Sequence, residues 1–180
     1  MKEYNLEGFE RGLAELGIAL SEEQKTQFLQ YYALLVEWNS FMNLTAITEF
    51  DQVITKHFLD SLSLVKVCDV AQAGRILDVG TGAGFPGIPL KIAFPEVEVV
   101  LLDSLNKRVK FLNEVIGQLG LSKITAIHGR AEDFARQKEY REQFDLVVSR
   151  AVANLSSLSE YCLPYVKVGG RFVSYKSGKL

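Results

Sequence analysis

The stretch Ile76–Leu90, ILDVGTGAGFPGIPL, decides the fold of this chain. An apolar run with one acid precedes four glycines within eight residues, and these lead into a second apolar segment that contains prolines. Glycine supplies the positive backbone angles that let a strand turn sharply into a helix. The stretch therefore predicts a buried β-strand, a glycine-rich turn and a helix, an arrangement that many nucleotide-binding sites share.

The glycine spacing fits two nucleotide-binding signatures. Gly82, Gly84 and Gly87 match the G-x-G-x-x-G pattern of dinucleotide-binding folds. Gly80, Gly82 and Gly84, preceded by Asp78, match a second signature. Spacing alone therefore does not identify the cofactor.

The residues around the glycines favour one cofactor. A dinucleotide needs free N–H groups and a positive helix dipole for its pyrophosphate. Asp78 would repel phosphate, and Pro86 has no N–H to donate. S-adenosylmethionine carries an ammonium and a sulfonium but no phosphate, so an acid at position 78 would attract it. The stretch therefore favours methyl transfer over hydride transfer.

The chain downstream of residue 75 reads as an α/β domain. Short β-branched runs alternate with helical segments, and the clearest helix is NKRVKFLNEVIGQLG at 106–120. The runs predicted as strands are RILDVG, EVEVVLLDS, KITAIHG, FDLVVSR and GGRFVSYK. Strands that alternate with helices predict a mostly parallel, Rossmann-like sheet covered by helices on both faces. We assign this core to residues 72–180.

Residues 1–71 are predicted to form an N-terminal helical region packed on that core. Ser21 and Gln24 form a capping box, and Thr48 with Asp51 suggests a second one. The apolar positions recur at helical spacing, as in the stripe Phe28, Tyr31, Tyr32, Leu35 and Trp38, and in the set Val53, Ile54, His57, Phe58 and Leu62. The aromatic stripe could stack on bases, but we expect it to pack against the core.

Composition excludes several classes of protein. The chain has 180 residues, a net charge of −2 and an isoelectric point near 5.8, so any RNA contact must come from a local patch. The two cysteines have no metal-ligand spacing and are too few for a disulfide framework, which suits a reducing compartment. No apolar run approaches the ~20 residues that span a bilayer. We predict a cytoplasmic protein with no metal site, no membrane association and no protein partner indicated by sequence.

Three further residues are candidates for binding a nucleoside. Asp103 ends the second predicted strand, nineteen positions after Gly84, where a carboxylate can accept hydrogen bonds from both ribose hydroxyls. A helix cap is the alternative for this acid. Ala131 and Glu132 follow the third strand, on the loop where an adenine would lie.

The segments LDVGTGAGFPGIPL, LLDSLNKRVKFL, GRAEDF, FDLVVSRAVANL and GGRFVSYK, behind WNSFMNLTAI and KHFLDSL, resemble the ribosomal RNA small subunit methyltransferase G family, also called RsmG or GidB. The resemblance covers nearly the whole chain. It implies methyl transfer from S-adenosylmethionine to N7 of a guanine in 16S ribosomal RNA of the small subunit. It also implies cofactor contacts at Gly80, Phe85, Ala131, Glu132 and Arg150.

This chemistry fits the residues present. Guanine N7 has a free lone pair and loses no proton on methylation, so we predict no acid–base or nucleophilic residue and catalysis by alignment. Arg150, at the end of the fourth strand, is the best candidate for contacting the cofactor carboxylate or guanine O6, with a surface salt bridge as its alternative. Lys176 and His57 are weaker candidates for RNA contact, because a solvated lysine and a packed histidine are common.

The resemblance implies a fold of seven strands. Because the sequence ends after its fifth predicted strand, we expect the last two to be missing, in a fragment or a shortened member of the family. The fifth strand is therefore expected to be an open sheet edge, which invites self-association. Two alternatives stay open at this point. The chain could be a small-molecule methyltransferase, or a non-catalytic fragment that binds S-adenosylmethionine and RNA.

Overall fold

A computed structural model describes residues 3–150 and 154–175 of the chain. The N-terminal part is helical, as predicted. Its elements are α1 (Glu7–Leu16), α2 (Glu22–Met42), α3 (Phe50–Val53), a π-helix (Ile54–Leu59), α4 (Asp60–Leu62), and two 3₁₀ turns (Ser63–Lys66 and Val70–Gln72). No described helix is long and apolar enough to cross a membrane.

The second part is a parallel sheet with intervening helices. Its elements are β1 (Arg75–Val79), α5 (Gly87–Ala93), β2 (Glu98–Asp103), α6 (Asn106–Leu119), β3 (Ile124–His128), α7 (Ala131–Phe134), β4 (Phe144–Ser149), α8 (Leu155–Cys162), a 3₁₀ turn (Leu163–Tyr165) and β5 (Val166–Ser174). All four strand pairs are parallel, in the order β3-β2-β1-β4-β5. This confirms the predicted Rossmann-like fold, and the strand order reverses between β1 and β4, where such sheets bind ligands.

The fifth strand differs in detail from the prediction. It begins at Val166 rather than at residue 169, because the register with β4 shifts between Phe144 and Leu146. Gly169, with a φ of 84°, lies within the irregular segment and lets the backbone accommodate the extra residues. Among the described residues β5 is an edge strand, as expected, and Val168 on it is 95% exposed. Self-association through this edge stays a prediction.

One predicted cap is confirmed and one is wrong. The Ser21 hydroxyl accepts the Gln24 N–H and the Gln24 side chain accepts the Ser21 N–H, so the first capping box is present. Helix α3 starts after Glu49, which makes no side-chain cap, so Thr48 and Asp51 do not form a box. The Thr48 carbonyl instead accepts the Tyr32 hydroxyl, which anchors this turn to α2.

The aromatic stripe of α2 packs against the core, as predicted. Tyr31 stacks on Phe58 and also contacts Phe85, with centroids 5.5 Å apart in each pair. Further along the helix, the Trp38 ring lies 5.7 Å from the ring of Phe111 on α6. One hydrophobic cluster therefore contains residues of both the N-terminal helices and the sheet.

Candidate active site

The glycine loop between β1 and α5 needs glycine for two different reasons. Gly80, Gly82 and Gly84 have φ values of 68°, 60° and 102°, in a region of backbone angles that residues other than glycine rarely adopt. Gly87 is needed for close packing, because a Cβ there would lie 2.2 Å from Cδ2 of Leu101 on β2. The loop is therefore a sharp turn whose helix lies directly against the sheet.

Asp78 is part of this loop's internal structure. Its side chain is fully buried, and its Oδ2 accepts the Thr81 hydroxyl at 2.7 Å and the Gly87 N–H at 2.9 Å. Gly87 N–H lies at the start of α5, so the carboxyl group already holds a donor that a pyrophosphate would need. This supports the sequence argument against a dinucleotide.

Cofactor binding by Asp78 stays a prediction. The sequence predicted a direct contact with a cation. One carboxyl oxygen, Oδ2, bonds to the loop, and Asp78 is not among the residues that line the cleft described below. Within the described residues its Oδ1 has no hydrogen-bond partner. Burial raises the pKa of Asp78 to about 7, although the Thr81 and Gly87 hydrogen bonds and Arg150 oppose that shift.

A cleft of about 320 Å³ opens at the carboxyl ends of β1, β2 and β3. It brings together four residues that the sequence analysis gave as candidates for cofactor binding: Gly80, Asp103, Ala131 and Glu132. Leu158 and Tyr161 of α8 also line the cleft, beside residues at the ends of these strands. The volume lies within the usual range for small-molecule sites.

Asp103 connects the glycine loop to this cleft. The carboxylate is 2% exposed; Oδ2 accepts the Gly82 N–H at 2.8 Å, Oδ1 accepts the Leu105 N–H at 2.9 Å, and Arg108 lies 3.6 Å from Oδ1. A carboxylate offers about four lone-pair directions, so Asp103 keeps acceptor capacity towards the cleft. Ribose binding by Asp103 stays a prediction, and Gly82 contributes by holding this acid.

A second group of polar side chains lies on the other side of the glycine loop, around Arg150. The guanidinium is 5.5 Å from the ring centroid of Phe85, a loop residue, and its Nε lies 3.5 Å from Asp60 Oδ2. Its terminal nitrogens donate to the Lys56 carbonyl at 3.3 Å and to the Ser61 hydroxyl at 3.5 Å. The side chain keeps 20% of its surface exposed. Arg150 therefore joins β4 to the N-terminal helices, and the predicted salt-bridge alternative is present as one of several contacts.

His57 is packed within this group. Its ring stacks on Phe85, with centroids 4.4 Å apart and an interplanar angle of 10°. Nδ1 lies 3.3 Å from an Arg150 nitrogen, and Nε2 lies 2.9 Å from the Thr45 hydroxyl. Burial and then the charge of Arg150 lower the pKa of His57 to about 4. The ring is therefore neutral at physiological pH, and both nitrogens already have protein partners.

Sequence reasoning missed several of these neighbours. Asp60 and Ser61 follow Lys56 and His57 by four residues, so helical spacing alone could have grouped them on one face. Their partner Arg150 lies about ninety residues away, and nothing local indicates it. Lys176 lies outside the described residues. Across ranges 3–150 and 154–175 no cluster of acidic, histidine or cysteine side chains could hold a metal ion.

The strand order, the glycine loop and the cleft define the class: a Rossmann-like fold of the kind found in S-adenosylmethionine-dependent methyltransferases. The apo structure of SibL, an S-adenosylmethionine-dependent methyltransferase, matches with a TM-score of 0.53 at 21% identity, over 64% of this chain and 35% of that one. YcgJ from Bacillus subtilis matches with a TM-score of 0.54 at 20% identity, over 66% and 50% of the two chains. At these identities the likeness concerns the fold.

Sequence comparison identifies the family. The model of the rRNA small subunit methyltransferase G family, GidB, matches residues 24–180. Ribosomal RNA small subunit methyltransferase G of Lachnoclostridium phytofermentans is 63% identical over 96% of this chain and 71% of its own length. The protein of the same name from Thermoanaerobacter sp. is 54% identical over the whole chain and 75% of its own length. The chain belongs to the ribosomal RNA small subunit methyltransferase G family.

Proposed function

We propose that this chain transfers the methyl group of S-adenosylmethionine to N7 of a guanine in 16S ribosomal RNA of the small subunit. The observation that carries this proposal is the meeting of Gly80, Asp103, Ala131 and Glu132 in one cleft, in a member of this family. Such a reaction belongs in the cytoplasm, with the ribosome. Family membership does not favour the small-molecule alternative.

The cleft suits the nucleoside part of S-adenosylmethionine. Asp103 and Glu132 supply acceptors for hydroxyl and amino groups, and Gly80 and Ala131 leave room for a flat ring. Arg150, with five N–H donors and an exposed fifth of its surface, is suited to the cofactor's carboxylate. Phe85 is 6% exposed and is not among the residues that line the cleft, so its contact with the cofactor stays a prediction from the resemblance. When bound, S-adenosylmethionine supplies an electrophilic methyl group on a sulfonium.

The protein's own residues fit an attack by a lone pair that needs no base. His57 is neutral, but both of its nitrogens are engaged. Cys162 is fully buried, and burial raises the pKa of its thiol to about 12, so it does not suit cytosine C5 methylation, which requires a thiolate. Guanine N7 requires neither a base nor a thiolate. The residues would act by orienting the two reactants and excluding water, and alignment of this kind contributes ~7–11 kcal/mol in favourable cases.

Methyl transfer to ribosomal particles tests the proposal. Small subunits and naked 16S ribosomal RNA from cells that lack the modification would be incubated with the protein and tritiated S-adenosylmethionine, and the label mapped to a base. Label on a guanine N7 supports the proposal. Label on another base, or no label while calorimetry shows that the cofactor binds, contradicts it.

A further inference from the structure

The guanidinium of Arg150 is held almost entirely by one short helical segment. Lys56, His57, Asp60 and Ser61, which contact it, all lie in the π-helix or the start of α4. A π-helix is rare and occurs often at functional sites, because it changes which groups a helix presents. The direction of Arg150 therefore depends on the N-terminal helices, although Arg150 itself follows β4.

The contacts of His57 determine which ring nitrogen carries the hydrogen. An arginine nitrogen only donates, so His57 Nδ1, at 3.3 Å from Arg150, must be the acceptor. In a neutral imidazole the hydrogen then lies on Nε2, which donates to the Thr45 hydroxyl at 2.9 Å. The assignment follows from the partners of the ring.

Thr45 is held in place from two sides. Its hydroxyl also accepts the Ile47 N–H at 3.1 Å, and its own N–H donates to the Asn39 side chain at 2.8 Å. Asn39 belongs to α2, in the segment WNSFMNLTAI. A continuous set of contacts therefore runs from α2 through the following loop to the π-helix and on to Arg150.

From this geometry we propose that His57 is a positioning residue that directs the Arg150 guanidinium towards the ligand, and that Thr45, braced by Asn39, keeps its ring in the required tautomer. This rests on the proposed role of Arg150 in ligand binding. His57 need not touch RNA to matter. Its two nitrogens and its stacked face all have protein partners, so it acts through Arg150 and Phe85.

The tautomer can be measured in the unmodified protein. The chain has two histidines, His57 and the exposed His128, so ¹⁵N-histidine labelling gives two assignable sets of ring signals and an internal comparison. We expect His57 to carry its hydrogen on Nε2, and Arg150→Ala to weaken that preference. A hydrogen on Nδ1 in the wild type overturns the proposal. This measurement needs no ligand, so it stands even if the proposed function fails.

Two substitutions of His57 separate positioning from packing. Asn places an acceptor near the position of Nδ1, and Gln places a donor near that of Nε2, while both remove the stack on Phe85. We expect His57→Asn to retain about tenfold more affinity for S-adenosylmethionine and more methyl transfer than His57→Gln, because it keeps the contact with Arg150. Thermal unfolding of both variants controls for stability.

Equal losses in the two variants, at equal melting temperature, overturn the proposal. Thr45→Val should reduce the affinity for S-adenosylmethionine. Thr45→Ser should keep the wild-type affinity, because serine retains the hydroxyl. If Thr45→Val matches the wild type, Thr45 has no part in the arrangement. Failure of the wild type to bind S-adenosylmethionine would instead contradict the proposed function, and the ring signals of His57 would still report on its contact with Arg150.

Discussion

The ring of His57 lies parallel to the ring of Phe85, with centroids 4.4 Å apart. One residue belongs to the π-helix of the N-terminal region and the other to the glycine loop of the sheet domain. Phe85 also contacts Tyr31 and Phe58, so aromatic side chains from two helical segments hold the outer side of the loop. The N-terminal region therefore forms part of the candidate active site.

Removal of the Phe85 ring should destabilise the protein. The side chain is 6% exposed and contacts three rings, so we expect Phe85→Ala to lower the free energy of unfolding by about 3–5 kcal/mol. Urea denaturation measures this. Phe41→Ala is the matched control, because Phe41 is 65% exposed and its loss should change the free energy by less than about 1 kcal/mol. Equal effects would contradict the central position of Phe85.

A methyl group at position 87 should be costly, unlike one at position 117. In Gly87→Ala the new Cβ would lie 2.2 Å from Leu101 Cδ2, so we expect a loss of about 1–3 kcal/mol in the free energy of unfolding. Gly117 lies within α6 with no atom within 4 Å of a Cβ, so Gly117→Ala should stabilise by about 0.5–1 kcal/mol. Chemical denaturation measures the sign of the change in the free energy of unfolding for both variants. A Gly87→Ala variant as stable as the wild type would contradict the packing argument.

Adjacent acids on α7 should differ in their effect on cofactor binding. Glu132 lines the cleft and Asp133 does not. We expect Glu132→Gln to weaken binding of S-adenosylmethionine by about tenfold, because a neutral amide oxygen accepts a weaker hydrogen bond than a carboxylate, and Asp133→Asn to leave it unchanged. Isothermal titration calorimetry measures both. A larger effect at position 133 would place the ligand elsewhere.

The buried Asp78 should make the protein less stable as pH rises. Its pKa in the folded protein is about 7, against an ordinary value of 3.8, so the folded chain keeps a proton that the unfolded chain releases. Its contribution to the free energy of unfolding is full below pH 3.8 and is lost as pH rises through 7. Relative to Asp78→Asn, which cannot titrate, the wild type should lose roughly 2–4 kcal/mol over that range.

His57 should change the stability of the protein with pH in the direction opposite to Asp78. Its pKa falls from 6.5 to about 4 on folding, so its contribution is full above pH 6.5 and is lost as pH falls through 4. Between these limits the two residues offset each other in the wild type. His57→Gln should therefore reveal a steeper fall of stability with rising pH, and Asp78→Asn a rise, in denaturation curves recorded from pH 4 to 7. Slopes of the same sign in the two variants would contradict this account.

Local sequence determined the elements of the fold. The periodicity of apolar residues predicted all five strands and the helix at 106–120, and the Ser21–Gln24 box predicted the start of α2. These predictions are correct because the hydrophobic period, the turn residues and the helix caps act within a few positions of the chain. The right-handedness of parallel crossovers limits the strand orders that are possible. The observed order, β3-β2-β1-β4-β5, brings Gly80, Asp103, Ala131 and Glu132 together.

The electrostatic roles of the site residues came only from the tertiary structure. Sequence marks Asp78 as an acid near a glycine loop, but its burial and its hydrogen bonds to Thr81 and Gly87 depend on how α5 packs on the sheet. In the same way, His57 and Arg150 are ninety-three positions apart, and no local pattern couples them. Desolvation and charge–charge contact depend on distance in space, so these roles follow from how the helical region packs against the sheet.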